Sequence, residues 1–388
     1  MEKLLSSLKS IPEFQLLCAA VAENQSAAIT GIGQMNRSHF VAALHRESPR
    51  PLVVICQDDM AAKRLQEELK AFLGEEAPVL PSRDLTLYDT AVVSRGWEQK
   101  RLRQLYDLTS GNTKLQILSW ESLCQRTMPR EVLLDAAFRL ETGNTYSIDH
   151  LLDRLTESGY SRCSMVEGPG QFSVRGGILD IYSPAADYPC RAEFFGDELD
   201  TMGYFDPDTQ RRTENISRII ILPVGETQPM LHPGGLTGLC EDLSNLIARQ
   251  KRRKNPNEDL IRTLERDLEK YQNRVQNPAS DRYMALIYPQ MATAMDYIPE
   301  NAIVVLCDQS ALKRTARTRM DELGMQLDSM LQAGLLAGEL CDFACQWEDF
   351  CDKLSGRTAV YFDAFGGTAY PEENPPKQLL PMAAKQLP

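Results

Sequence analysis

The sequence predicts an α/β fold: a parallel sheet covered by helices, interrupted by an inserted antiparallel α+β unit. Three observations point there. Over residues 26–118, short apolar runs rich in β-branched residues alternate with helical segments. Beyond Pro129 the texture changes to short runs punctuated by Gly and Pro. At Ile303-Val304-Val305-Leu306 a buried-type strand brings the first texture back. Such a strand completes the first region's sheet, which makes the middle region an insertion.

The first strand is Ala27-Ala28-Ile29-Thr30, followed by a Gly-containing turn and a helical segment. Residues 52–56 form a β-branched strand, 60–73 an amphipathic helix, 98–110 a further helix and 115–118 another short buried strand. This βαβα rhythm marks a parallel sheet. In the middle region the strands fall at 172–174, 178–182, 191–195, 199–205 and 219–222, an antiparallel meander with turns at Gly176-Gly177 and Gly196-Asp197. Ser147 is the N-cap candidate of a helix over 148–158 that packs on one face. A loop at 229–238 leads into helical sequence over 239–276, broken near Asn255-Pro256, and helices resume from Ser310. Residues 371–388 hold five prolines and little periodicity, so they read as a linker cut off before a following domain. The expected organisation is 1–128 as the first part of the α/β domain and 129–222 as the insertion. Residues 223–352 form its helix-rich second part, and 353–388 a linker toward a missing domain.

With 388 residues, 43% hydrophobic and 25% charged, the chain has apolar material for two or three cores and is not a disordered tail. Its 42 Lys and Arg against 54 Asp and Glu give a formal charge of −12, which repels phosphate backbones, so any nucleic-acid contact is local. No apolar run approaches the roughly 20 residues of a membrane span, and residues 1–10 lack a signal-peptide pattern; the chain reads as cytoplasmic, with no membrane partner. Ten cysteines spread through apolar segments read as reduced core thiols.

Gly31-Ile32-Gly33-Gln34-Met35-Asn36-Arg37-Ser38 lies between a strand and a helix, the place of a phosphate-binding loop. The loop's Lys is missing and Arg37-Ser38 is a loose echo of Lys-Ser/Thr, so an ordinary strand-to-helix turn is the favoured reading. Asp308-Gln309 follows the 303–306 strand, where hydrolytic ATPases keep a magnesium-binding Asp and a Glu that orients water. Gln309 cannot accept a proton. Together the two motifs suggest a nucleotide fold that has lost its chemistry, with no catalytic residue and no cofactor of its own. Cys341, Cys345 and Cys351 cluster without the second ligand pair or nearby His that zinc requires, so no metal is expected. The basic run at 249–254 precedes a helix of mixed sign without aromatic interleaving and reads as a solvated face.

In Arg191-Ala192-Glu193-Phe194-Phe195, side chains alternate, so Ala192 and Phe194 face one way and Arg191, Glu193 and Phe195 the other. A Phe beside Arg on a charged face is the composition of a protein-interface hot spot. The bland alternative is a Phe buried under a loop or helix.

Gly159-Tyr160-Ser161-Arg162, Glu167-Gly168-Pro169-Gly170-Gln171-Phe172-Ser173-Val174-Arg175-Gly176-Gly177-Ile178-Leu179-Asp180-Ile181-Tyr182-Ser183-Pro184, the run from Arg191 to Asp200 and Phe205-Asp206-Pro207-Asp208-Thr209-Gln210-Arg211 keep an ordered spacing. Together they resemble the UvrB-homology module of bacterial transcription-repair coupling factors. Weaker similarity covers most of the chain: Leu80-Pro81-Ser82-Arg83-Asp84 with Tyr88, the 101–108 helix, and Tyr297-Ile298-Pro299-Glu300 leading to Asp308. The resemblance implies a split nucleotide-binding-type, helicase-like parallel-sheet domain whose insertion docks UvrA, the damage sensor of nucleotide excision repair. UvrB, the repair helicase, carries an intact phosphate loop and Asp-Glu pair. Here they align with the degenerate Gly31, Gly33, Arg37 and Ser38 and with Asp308 and Gln309. UvrB's aromatic hairpin, which clamps damaged DNA, has no counterpart in the short, aromatic-poor stretch 88–115.

Carried over position by position, the family's UvrA-contacting residues fall on Arg175, Arg191 and Phe195. The implied function is a non-catalytic recruitment module that brings UvrA to stalled RNA polymerase. In this reading the chain is an N-terminal fragment. The missing parts hold a translocase using ATP and magnesium, contact double-stranded DNA and RNA polymerase, and offer the module an intramolecular surface. The alternatives are an active UvrB-like ATPase or helicase fragment, motivated by the sheet order and the Gly31 loop, and a DNA-binding clamp resting on residues 249–254.

Overall fold

Five-residue apolar runs rich in β-branched residues with no polar face suit strands covered on both sides, and the computed structural model of the chain, which describes residues 2–85, 87, 88, 96–367 and 369–382, puts the runs at 52–56 and 303–307 there. The first segment supplies β1 (Ala27–Thr30), β2 (Leu52–Cys56) and β3 (Leu115–Ser119). The insertion supplies β4 (Phe138–Glu141), β5 (Ser161–Arg162), β6 (Gln171–Arg175), β7 (Ile178–Ile181), β8 (Cys190–Phe195), β9 (Glu198–Phe205), β10 (Arg212–Asn215) and β11 (Arg218–Ile221). The chain then returns through β12 (Ile303–Cys307), β13 (Thr358–Asp363) and β14 (Gln378–Pro381). One parallel sheet has the order β14-β1-β13-β12-β2-β3.

Alternate residues of each central strand enter separate cores. Val53, Ile55, Val304 and Leu306 face one, under the helices after β11, and Leu52, Val54, Ile303 and Val305 face the other, under Gln34–Glu47 and Asp59–Leu73. The second of these helices starts where Asp58 accepts the Ala61 N–H at 2.7 Å, an N-cap.

The linker expected over 353–388 is corrected by this sheet. Every residue of β13 is buried, and β13 lies between β1 and β12 in the middle of the sheet. Asn374 is buried as well, and bonds the Ser26 hydroxyl at 2.7 Å and the Leu354 carbonyl at 2.7 Å. Pro381 is tolerated because β14 is an edge strand, where a missing N–H breaks no ladder. Residues 383–388 of the expected linker, and 89–95 of the stretch 88–115, lie outside the described residues.

In the insertion, β5 to β10 form a six-stranded sheet in the order β10-β9-β8-β7-β6-β5, antiparallel except where β5 joins β6. Its inner face packs Phe172, Leu179, Ala192 and Met202 on Leu151 and Leu155 of the helix Ile148–Glu157, whose N-cap is Ser147. The strand predicted at 219–222 is not part of the meander. As β11 it pairs with β4 in a separate two-stranded ribbon that closes the insertion near its entry and exit.

Candidate functional site: the outer face of the inserted sheet

Two hairpins end side by side. Arg175-Gly176-Gly177-Ile178 closes β6 on β7, and Phe195-Gly196-Asp197-Glu198 closes β8 on β9. Gly176 (φ +59°) and Gly196 (φ +63°) supply the left-handed backbone that two-residue hairpin loops need. The tips are clipped together: the Phe194 N–H donates to the Gly177 carbonyl at 2.7 Å. A Cβ added to Gly177 would fall 2.7 Å from the Phe194 carbonyl oxygen, so only glycine allows this approach.

Beyond Glu193 the register slips. Glu193 pairs with Thr201 but Phe194 pairs with Leu199, so the extra residue, Asp200, belongs to β9 and the alternation of β8 is undisturbed. Ala192 is buried, Phe194 packs on the insertion's core, and Phe195 is 83% exposed at the tip. Arg175 is exposed, its guanidinium bonded to the Ser164 carbonyl, and among the described residues no carboxylate pairs with it.

Arg191 shares the outward face but is drawn into the domain. Its Nε and Nη2 donate to the two Asp180 oxygens at 2.7 and 2.9 Å, and Nη1 reaches the Gln210 carbonyl at 3.4 Å. The guanidinium carbon lies 4.7 Å from the centroid of the Phe205 ring. Hydrogen bonding to Asp180 raises the guanidinium pKa further. Only 22% of its side chain is exposed, and the Asp180 partner is buried. The structure therefore puts Arg175 and Phe195 on one outward face, each at its own hairpin tip with Arg175 turned to Ser164, and sets Arg191 deeper, as a bidentate clamp between β7 and β8. Sequence reasoning missed Asp180 and Phe205. A lone carboxylate inside Ile178-Leu179-Asp180-Ile181 was the available signal, since such a group requires a partner. It also missed Ile178, which is 40% exposed between Arg175 and Glu193 in the cross-strand row.

The degenerate loop is closed on itself. The Ile32 N–H bonds the Asp363 carbonyl at 3.2 Å and the Asn36 N–H the Gly33 carbonyl at 2.9 Å, so neither points at a phosphate position. Gly31 (φ +84°) lies under the Met382 carbonyl, 2.6 Å from where a Cβ would be. Arg37 Nη2 and Asp308 Oδ2 pair at 3.1 Å on the wall of a cavity of about 270 Å³. The cation that would meet a phosphate thus occupies the carboxylate that would hold magnesium. Ser38 and Gln309 are buried, and the Gln309 N–H donates to Asp363 at 3.1 Å.

The basic run is laced into its surroundings: Lys251 pairs with Glu265 at 2.6 Å, and Arg253 and Gln250 both reach Glu339 at 3.0 Å. Cys345 and Cys351 sit in the larger core, where burial pushes their thiols up to about 11 and about 12.

Residues 138–226, which hold both hairpins, match the family described as UvrB interaction domain. The inserted unit thus matches the UvrB interaction domain family along its whole length. The chain is also similar, over most of its length, to transcription-repair-coupling factors. That of Bacillus subtilis (strain 168) is 26% identical over 345 residues, covering 88% of this chain and 29% of that protein. That of Staphylococcus aureus (strain MRSA252) is 26% identical over 343 residues, with the same coverages of 88% and 29%. The Myxococcus xanthus protein is 33% identical over 210 residues, 52% of this chain and 18% of that protein. The module thus spans less than a third of the length of the relatives it matches. Its body is a helicase-like parallel-sheet domain into which the inserted domain is set.

Proposed function

We propose that the module recruits UvrA through the two hairpin tips of its inserted domain and performs no nucleotide chemistry itself. The observation that carries this reading is Phe195, a large apolar ring left 83% exposed at the tip of a UvrB interaction domain, on the same outward face as the exposed Arg175 of the neighbouring hairpin. An aromatic with a neighbouring Arg is the usual anchor of a protein interface. The inert half of the reading is supported by the loop amides and the Arg37–Asp308 pair, which use internally the groups a nucleotide and its magnesium would need.

In the whole protein, the module would bring UvrA to stalled RNA polymerase. A translocase elsewhere in that protein would use ATP and magnesium, engage double-stranded DNA and displace the polymerase. The cytoplasm is the compartment where these partners meet. The test is a titration of the chain with purified UvrA, wild type against Phe195→Ala. A complex weakened at least tenfold supports the reading, and unchanged binding by a normally melting variant ends it.

A further inference from the structure

Ile178 is an apolar, β-branched side chain on a row that is otherwise polar. Across the sheet it stands between Arg175 on β6 and Glu193 on β8, with Thr201 beyond. Its inward neighbour Leu179 is fully buried in the insertion's core, so alternation turns Ile178 outward and that core makes no demand for an apolar side chain there. Phe195 lies two residues along β8 from the partner of Ile178 and on the same face, a diagonal spacing of about 7–8 Å. The Gly177–Phe194 clip fixes that spacing.

The charges around the pair are unequal. Glu193 is neutralised by Arg212 at 3.3 Å, while among the described residues Arg175 has only a main-chain carbonyl as its hydrogen-bond partner. An apolar pair beside an uncompensated cation fits a partner surface with an apolar socket and an acidic rim.

We infer that Ile178 is a further contact residue for UvrA, forming with Phe195 the apolar centre of a docking surface that spans both hairpin tips. This rests on the UvrA-docking reading above. Ile178→Thr keeps the branched shape that suits a strand, and Ile178→Ser removes it. Each is titrated with UvrA as the full chain, beside Phe195→Ala, and each is melted. Ile178→Thr is expected to weaken the complex about tenfold while its melting midpoint stays within a few degrees of wild type. If Phe195→Ala weakens binding and both Ile178 variants bind as wild type, the inference is overturned and the docking reading stands. If Phe195→Ala also binds as wild type, the docking reading falls and the inference with it. Self-association of the chain that is lost in Ile178→Ser, with UvrA binding retained, overturns the inference in favour of a second copy as the occupant.

Discussion

Arg191 and Phe195 share one face of one strand, yet truncation removes different things. Phe195 gives up area that is already in water, so Phe195→Ala should change unfolding free energy by no more than about 0.5 kcal/mol. Arg191→Ala strands the Asp180 carboxylate, buried and without its bidentate donor, and should cost the domain about 3 kcal/mol. Phe194→Ala, from a ring that is only partly buried, should fall between them at about 2 kcal/mol. Chemical denaturation of the three variants orders them, and an Arg191→Ala protein as stable as wild type would remove the clamp from the account. Any loss of UvrA binding in Arg191→Ala must then be separated from lost stability. The alternation of β8 made its outward face legible in the sequence. The Asp180 partner was not, because pairing residue 180 with 191 depends on the register of the β7–β8 connection.

At the scale of elements, legibility followed burial. β2 and β12 were readable because covering both faces forces an unbroken apolar run, and the hairpin turns because their glycines carry the turn. β10, with all four residues exposed, carries no apolar pattern that could have marked it. β13 obeys the same rule as β12, but the prolines after it drew the whole segment into a linker reading. Its place at the centre of the sheet makes a sharp prediction: truncation before Thr358 should prevent cooperative folding, whereas truncation after Lys377, which among the described elements removes only edge strand β14, should leave a folded, less stable chain. Circular dichroism melts distinguish the two. The degenerate loop was legible as a missing Lys. That Arg37 is held by Asp308 needed the fold to bring residues 37 and 308 together. With both groups engaged, millimolar ATP and magnesium should not raise the melting midpoint, since only a ligand that prefers the native state can do so. A clear upward shift, abolished in Asp308→Ala, would restore the nucleotide site.

Over the whole molecule, the question is how far the inserted domain stands alone. Its core is a cluster of its own, distinct from both cores of the parallel sheet, and β4 with β11 closes it near entry and exit. The exit strand does not end the dependence. Val224 still packs on that core, with its N–H on the Ser158 carbonyl at 2.9 Å, so a unit cut at residue 222 would be incomplete, and one cut near 226 is the natural piece. Glu226 belongs to the other side. It is fully buried against Arg101, 3.1 Å from its Nε, and accepts from the Thr127 hydroxyl at 2.5 Å, so it ties the exit to the parallel-sheet body. A charge pair of this kind adds little net stability when made, but breaking it leaves a buried guanidinium uncompensated. Glu226→Ala should therefore destabilise the full chain by about 3–5 kcal/mol. In the isolated piece 137–227 the same carboxylate has lost Arg101 and faces water, so the substitution should cost less than about 0.5 kcal/mol and leave UvrA binding unchanged. Parallel denaturation of the full chain and the piece, with and without the substitution, decides the matter. Equal destabilisation in both would mean that Glu226 serves the inserted domain itself, and a piece without a cooperative transition would show that it is not an independent folding unit.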